Sequence, residues 1–205
     1  WDLPVLEQTT ARRRKARVWG LDSTLGMALA AVQNGIEATV AIWAFVFLTE
    51  LGVSIVVAGG LASGYWLTLV IGRVGFGSLA ERIGPWKVMY VAVALLLGAA
   101  VLANVALPIP AMAAVLLFGI GAAPMYPLLV LTTAERTSAE VADRVIGFQA
   151  AASSIGNAIA PGLVGLAIGV QPRAIGWATA ALATTAAILV LTIRRRVRAR
   201  VRAWV

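Results

Sequence analysis

Cysteine and histidine are both absent from the 205 residues of this chain. Their absence excludes disulfide bridges, Cys/His zinc sites, thiol nucleophiles and histidine general bases. Charge is scarce as well. Asp, Glu, Lys and Arg make up 13% of the chain, against the ~25% of an average soluble domain. Apolar residues fill the space: 60% of the chain is hydrophobic. Too little charge remains to coat a soluble surface, so the composition points to a membrane. The polar residues form no metal-ligand cluster, no nucleophile with a neighbouring base and no phosphate-cradling glycine loop followed by Lys. No catalytic residue, metal site or cofactor is therefore expected, and the chain is not read as an enzyme.

Six apolar runs stand out, at roughly 24–49, 54–79, 87–107, 111–132, 146–170 and 174–193. About 20 residues at ~1.5 Å each span the ~30 Å hydrocarbon layer, so each run is long enough for a transmembrane helix. None alternates as a barrel strand would. The connections carry breakers or charge: Glu50 with Gly52, Glu81 to Lys87, Pro108 with Pro110, Thr132 to Arg144, and Gln171 with Pro172. The expected fold is all-α, with six transmembrane helices.

Positive charge fixes the expected orientation. Arg12, Arg13, Arg14, Lys15 and Arg17 precede the first span. Arg73, Arg82 and Lys87 lie at or near the second connection, Arg136 and Arg144 at the fourth, and Arg194, Arg195, Arg196, Arg198, Arg200 and Arg202 after the last span. Of the 17 Lys and Arg, all but Arg173 fall on one side. Positive charge stays inside, so both termini are expected in the cytoplasm, with the chain in the cell membrane (plasma or bacterial inner membrane). Residues 1–23 read as a basic cytoplasmic linker, 24–193 as the transmembrane domain and 194–205 as a basic cytoplasmic tail. The Arg clusters hug the span ends, which suits anionic lipid headgroups and not nucleic acid. The first twenty residues are too polar for a signal-peptide core. The chain opens on Trp1, so a segment upstream is expected.

Glu37 lies in the middle of the first apolar run. A carboxylate at that depth costs on the order of 3 kcal/mol even on mild insertion scales, so it is expected to face a cavity, a partner or a transported ion. The bland alternative is a hydrogen-bonded residue that merely joins helices. Helical spacing puts Gln33, Asn34 and Glu37 on one side of the first span. Gln149, Ser153 and Asn157 recur every four residues on the fifth. Tyr65 and Trp66 sit near the centre of the second span, at a depth similar to Glu37 and Asn157. Gln33, Asn34, Glu37, Tyr65, Gln149, Ser153 and Asn157 are thus the candidate solute-binding residues. Their amides and hydroxyls donate and accept, which suits a sugar-like polar solute. Glu37 is either a reversible proton carrier or an ionised counter-charge for a cationic solute. Arg73 is placed too near the cytoplasmic end to be its partner. Tyr126 lies toward the cytoplasmic end, where a gate fits. Trp86 and Trp177 read as interfacial anchors.

The second and fifth spans are rich in Gly and end in similar text, Val74 to Ala80 and Pro161 to Ala167. Three spans apart and oppositely directed, they fit a 3+3 inverted repeat. Gly60 and Gly64 form a GxxxG pattern that lets helices approach closely. The following connection, Gly77-Ser78-Leu79-Ala80-Glu81-Arg82-Ile83-Gly84, resembles the G-x-L-a-D-r-x-G signature of the major facilitator superfamily. Glu81 stands for the usual Asp, and Pro85-Trp86 for the usual basic pair. Gly35 to Trp43, Gly72-Arg73, Tyr126-Pro127 and Ala160-Pro161 are similar to the fucose-permease-like branch of sugar:proton symporters. The resemblance spans about 24–193 and implies the C-terminal six-helix half of a twelve-helix transporter. Gly77, Glu81, Arg82 and Gly84 then become candidate gating residues: Gly77 for tight contact, Gly84 for a sharp turn, and Glu81 with Arg82 for a charge latch. The expected partners are lipids, a small solute, and an N-terminal half or a second copy. The alternatives are an efflux transporter or antiporter for a drug or other small molecule, a six-helix permease subunit, and a catalytic membrane protein with Glu37 as base.

Overall fold

The computed structural model describes residues 18–171 and 174–202. The basic linker residues Arg12 to Arg17 and the lone opposite charge Arg173 lie outside them. Eight helices follow in order: α1 (Leu21–Glu50), α2 (Ile55–Ile83), α3 (Pro85–Asn104), α4 (Pro108–Ala122), α5 (Met125–Leu131), α6 (Thr133–Arg136), α7 (Ala139–Val170) and α8 (Ala174–Arg202). Among the described residues there is no strand. Six stretches are long and apolar enough to cross a membrane, with α4 and α5 together forming the fourth, Pro108–Leu131. The protein is an all-helical integral membrane protein.

Local chemistry sets the helix ends. Pro85 and Pro108 stand in the first turns of α3 and α4, where a missing N–H costs nothing. Gly84 divides α2 from α3 at φ +91°, a conformation that side chains with a Cβ rarely adopt. Pro124 has no N–H to continue α4, so that helix stops at Ala122 and α5 restarts at Met125. Helix also runs past the apolar stretches. α7 starts at Ala139, and α8 continues beyond residue 193 to Arg202. Hydrophobicity marks only what lies in hydrocarbon, whereas Arg and Glu extend a helix readily outside it.

The packing follows the inverted repeat. α1 packs on α7 as α4 packs on α2, α1 meets α8 as α4 meets α3, and α3 lies on α8. Both flanking contacts are made close by glycine. A Cβ on Gly156 would fall 2.8 Å from the Cα of Ala31, and one on Gly35 would fall 2.9 Å from the Cβ of Ala160. Across α2 and α4, a Cβ on Gly72 would lie 2.6 Å from that of Ala123, and one on Gly119 would lie 2.8 Å from the Tyr65 carbonyl oxygen. Of the GxxxG pair, Gly64 faces Leu116 on α4 but Gly60 faces open space. α2 and α7 are the least buried of the six spans. They leave Val70, Val74, Ile159 and Leu163 exposed.

Candidate functional site

Four spans bring polar groups together around Glu37. Its carboxylate Oε2 accepts from Gln33 Nε2 at 3.2 Å, and its Oε1 accepts from Arg73 Nη2 at 3.1 Å. Tyr65 Oη donates to the Glu37 main-chain carbonyl at 3.0 Å. Gln33 Nε2 also reaches the Ala122 carbonyl, 3.3 Å away at the end of α4. Asn34 Nδ2 lies 3.0 Å from Ser153 Oγ on α7 and 2.8 Å from Gln33 Oε1. Thus α1 reaches α2, α4 and α7 at one level, and Glu37 is the centre.

The Arg73 contact departs from the expectation that this residue lies too near the helix end. Spacing along the axis understates its reach. Each Cα–Cβ bond leans toward its own helix N-terminus. Because α1 and α2 run antiparallel, Glu37 and Arg73 lean toward each other. The ion pair reduces the cost of holding a carboxylate at this depth, and it leaves the cation half open: the side chains are 52% exposed for Arg73 and 15% for Glu37.

The other candidates divide. Tyr65 is fully buried, and its hydroxyl is committed to the α1 backbone. The neighbouring Trp66 is exposed. The stripe on α7 splits in three. Ser153 joins Asn34, Asn157 is exposed, and Gln149 is buried at another level, 3.3 Å from the Thr133 hydroxyl. The split follows from geometry, since a step of four residues drifts about 40° around a helix of 3.6 residues per turn. Tyr126 is half-buried against the core on α5.

Of the candidate gating residues, Gly77, Glu81 and Arg82 are exposed, and a Cβ on Gly77 would meet nothing. Within this six-helix unit Gly77 therefore makes no tight helix contact. Glu81 and Arg82 form no ion pair among the described residues. The turn at Gly84 is present. A latch exists beside it, built from other residues. Trp86 Nε1 donates to Glu135 Oε2 at 3.0 Å, and the Arg194 guanidinium stacks 4.9 Å from the Trp86 ring centre. Trp86 is buried by these partners and does not lie free as an interfacial anchor.

At the same end lies a charge cluster that the sequence reading passed over. Asp22 is buried in the first turn of α1, and it pairs with Arg196 at 2.6 Å and with Arg200 on α8. Arg200 also donates to the Arg136 carbonyl. Two arginines of the basic tail are therefore engaged inside the protein. Arg136 itself is 1% exposed. Its guanidinium donates to the Leu129 carbonyl at 2.6 Å, the Thr133 hydroxyl at 2.8 Å and the Thr132 carbonyl at 3.2 Å. Burial pushes it down to about 10, so it stays charged at neutral pH. Folding lowers its hold on the proton, so linkage favours the folded state only as pH rises above about 10. One sequence signal was available. Arg196 and Arg200 are four apart, on one face of a helix, and an acid in the first turn of α1 lies at the same end.

The two clusters bind the helices unequally. Among the described residues, α2 is joined to other helices by side-chain hydrogen bonds at two points, Tyr65 and Arg73, and both end on Glu37. Over residues 23–204 the sequence matches the family profile described as the Major Facilitator Superfamily. Among curated proteins, none matches the chain.

Proposed function

Because the chain belongs to the Major Facilitator Superfamily, a family of membrane transporters of small solutes, we propose that it carries a small, polar, sugar-like solute by alternating access with proton coupling. It acts as the C-terminal half of a twelve-helix transporter, in the manner of the fucose-permease-like symporters, with both termini in the cytoplasm of a cell that carries it in its plasma or inner membrane. The reading rests on one observation above all. Glu37 is a membrane-embedded acid on which the polar ties of α2 converge, in a network that also joins α4 and α7. A proton arriving at Glu37 removes the charge that holds Arg73 and so releases one of the two polar ties of α2, while the Tyr65 bond to the Glu37 main chain remains. Ser153, Asn34 and the exposed Asn157 supply donors and acceptors for hydroxyl groups.

The exposed apolar and small residues of α2 and α7 provide the face on which an N-terminal half, or a second copy of the chain, closes the solute cavity. The experiment is uptake by liposomes containing the six-helix unit alone and together with a matching N-terminal half, under an imposed proton gradient. The pair accumulates solute when the outside is acidic, and a protonophore abolishes the accumulation. The six-helix unit alone shows none. Accumulation indifferent to the gradient would overturn the coupling. Accumulation only under the reversed gradient would make the protein an antiporter.

A further inference from the structure

We propose that the transported solute bears a carboxylate and that Arg73 is the residue that receives it. The inference rests on the reading that the network around Glu37 is the solute site. A neutral sugar needs only amides and hydroxyls, and an arginine in a membrane span costs on the order of 3 kcal/mol. Arg73 is more than a counter-ion sealed against Glu37. It spends one nitrogen, Nη2, on that carboxylate, while Nε and Nη1 have no protein partner among the described residues. Its side chain is half exposed, whereas Glu37 is nearly covered. A guanidinium presents its N–H groups as a planar fork that matches a carboxylate with two parallel bonds. Each two-pronged edge of Arg73 includes Nη2, so a carboxylate that takes two parallel bonds competes with Glu37 for that nitrogen.

The exchange also links solute to proton. An entering carboxylate occupies the fork and displaces Glu37 Oε1. Glu37, left without its counter-charge, takes one proton from water on the side of entry. Release of the solute on the other side returns that proton to water and restores the ion pair. One carboxylate and one proton move together, no covalent bond to the solute changes, and no net charge crosses. On the elements around Glu37, α2 carries Tyr65 and Arg73 and, in its last turn, Glu81 and Arg82; α5 carries Tyr126, and the arginines of α8 lie at its C-terminal end. α4 has none, and those of α7 (Glu140, Asp143 and Arg144) sit in its first turns.

The test uses the full-length protein in detergent, with glucuronate and lactate as carboxylate probes against glucose and glycerol as uncharged counterparts. Binding is read by tryptophan fluorescence. At least one carboxylate should bind about tenfold or more tightly than its counterpart. Arg73→Lys keeps the charge but loses the fork, and it should remove about tenfold of that preference without weakening the uncharged probe. Glu37→Gln removes the competing carboxylate from Arg73, so binding of the charged probe should tighten several-fold. Equal binding of charged and uncharged probes, or equal loss of both in Arg73→Lys, would overturn the carboxylate proposal and leave the solute site standing. Binding of none of the four would overturn both.

Discussion

The two acid–arginine groupings of this molecule use the same chemistry and differ in how they are held. Asp22 is buried, is paired with two arginines, and lies in a mesh that runs through Arg136, Thr133, Gln149, Glu135, Trp86 and Arg194. That mesh touches every helix except α2 and α4. Glu37 is paired with one arginine, which is half open, and its network reaches the two helices that the other mesh omits, α2 directly and α4 through Gln33. An ion pair shared among many elements holds a structure shut. One shared between two helices, with free donors on its cation, can be exchanged. The alternating access proposed above needs both kinds: a body that stays together, and a contact that can break.

If this comparison is right, damage to the two groupings should read out differently. The largest effect on stability belongs to Asp22→Ala. It leaves Arg196 and Arg200 facing each other without a carboxylate. A fully buried pair broken in this way costs about 3–5 kcal/mol, and the part-exposed arginines reduce that to about 1–3 kcal/mol. Thermal unfolding in detergent should show the loss, while the binding preference at Arg73 stays as it was. An unchanged melting temperature would place Asp22 outside the structural mesh. Trp86→Phe should cost less, about 0.5–1.5 kcal/mol, because it removes the bond to Glu135 but keeps a ring under Arg194. A larger loss than that of Asp22→Ala would move the centre of the mesh to the α3 end.

The fold was legible because a bilayer constrains the chain so strongly. Six apolar runs and their breakers are visible without any contact information, and the glycine-rich second and fifth spans do flank the bundle. The helix ends were less legible, since Ala139 to Val145 and Arg194 to Arg202 continue helices in residues that hydropathy ignores. The central grouping was partly legible. Gln33, Asn34 and Glu37 share a face by spacing alone, but their partners sit on other helices. The reach of Arg73 depends on the lean of two antiparallel side chains. The burial of Asp22 and Arg136 is not visible in sequence, because an acid or a base at a span end is ordinary there and only packing covers it. The break after Ala122, which gives Gln33 an acceptor, was signalled by Pro124 and Pro127.

On the proposed mechanism Glu37 is the exchangeable contact and carries the proton. Glu37→Gln retains size and hydrogen-bonding capacity but cannot titrate. In the complete transporter, solute exchange between two pools needs no net proton movement, so it should persist in this variant. Uphill accumulation driven by a proton gradient should vanish. Exchange, accumulation and affinity are to be measured on one preparation. Exchange retained with accumulation lost is the predicted result, and gradient-driven accumulation that survives in Glu37→Gln would contradict it.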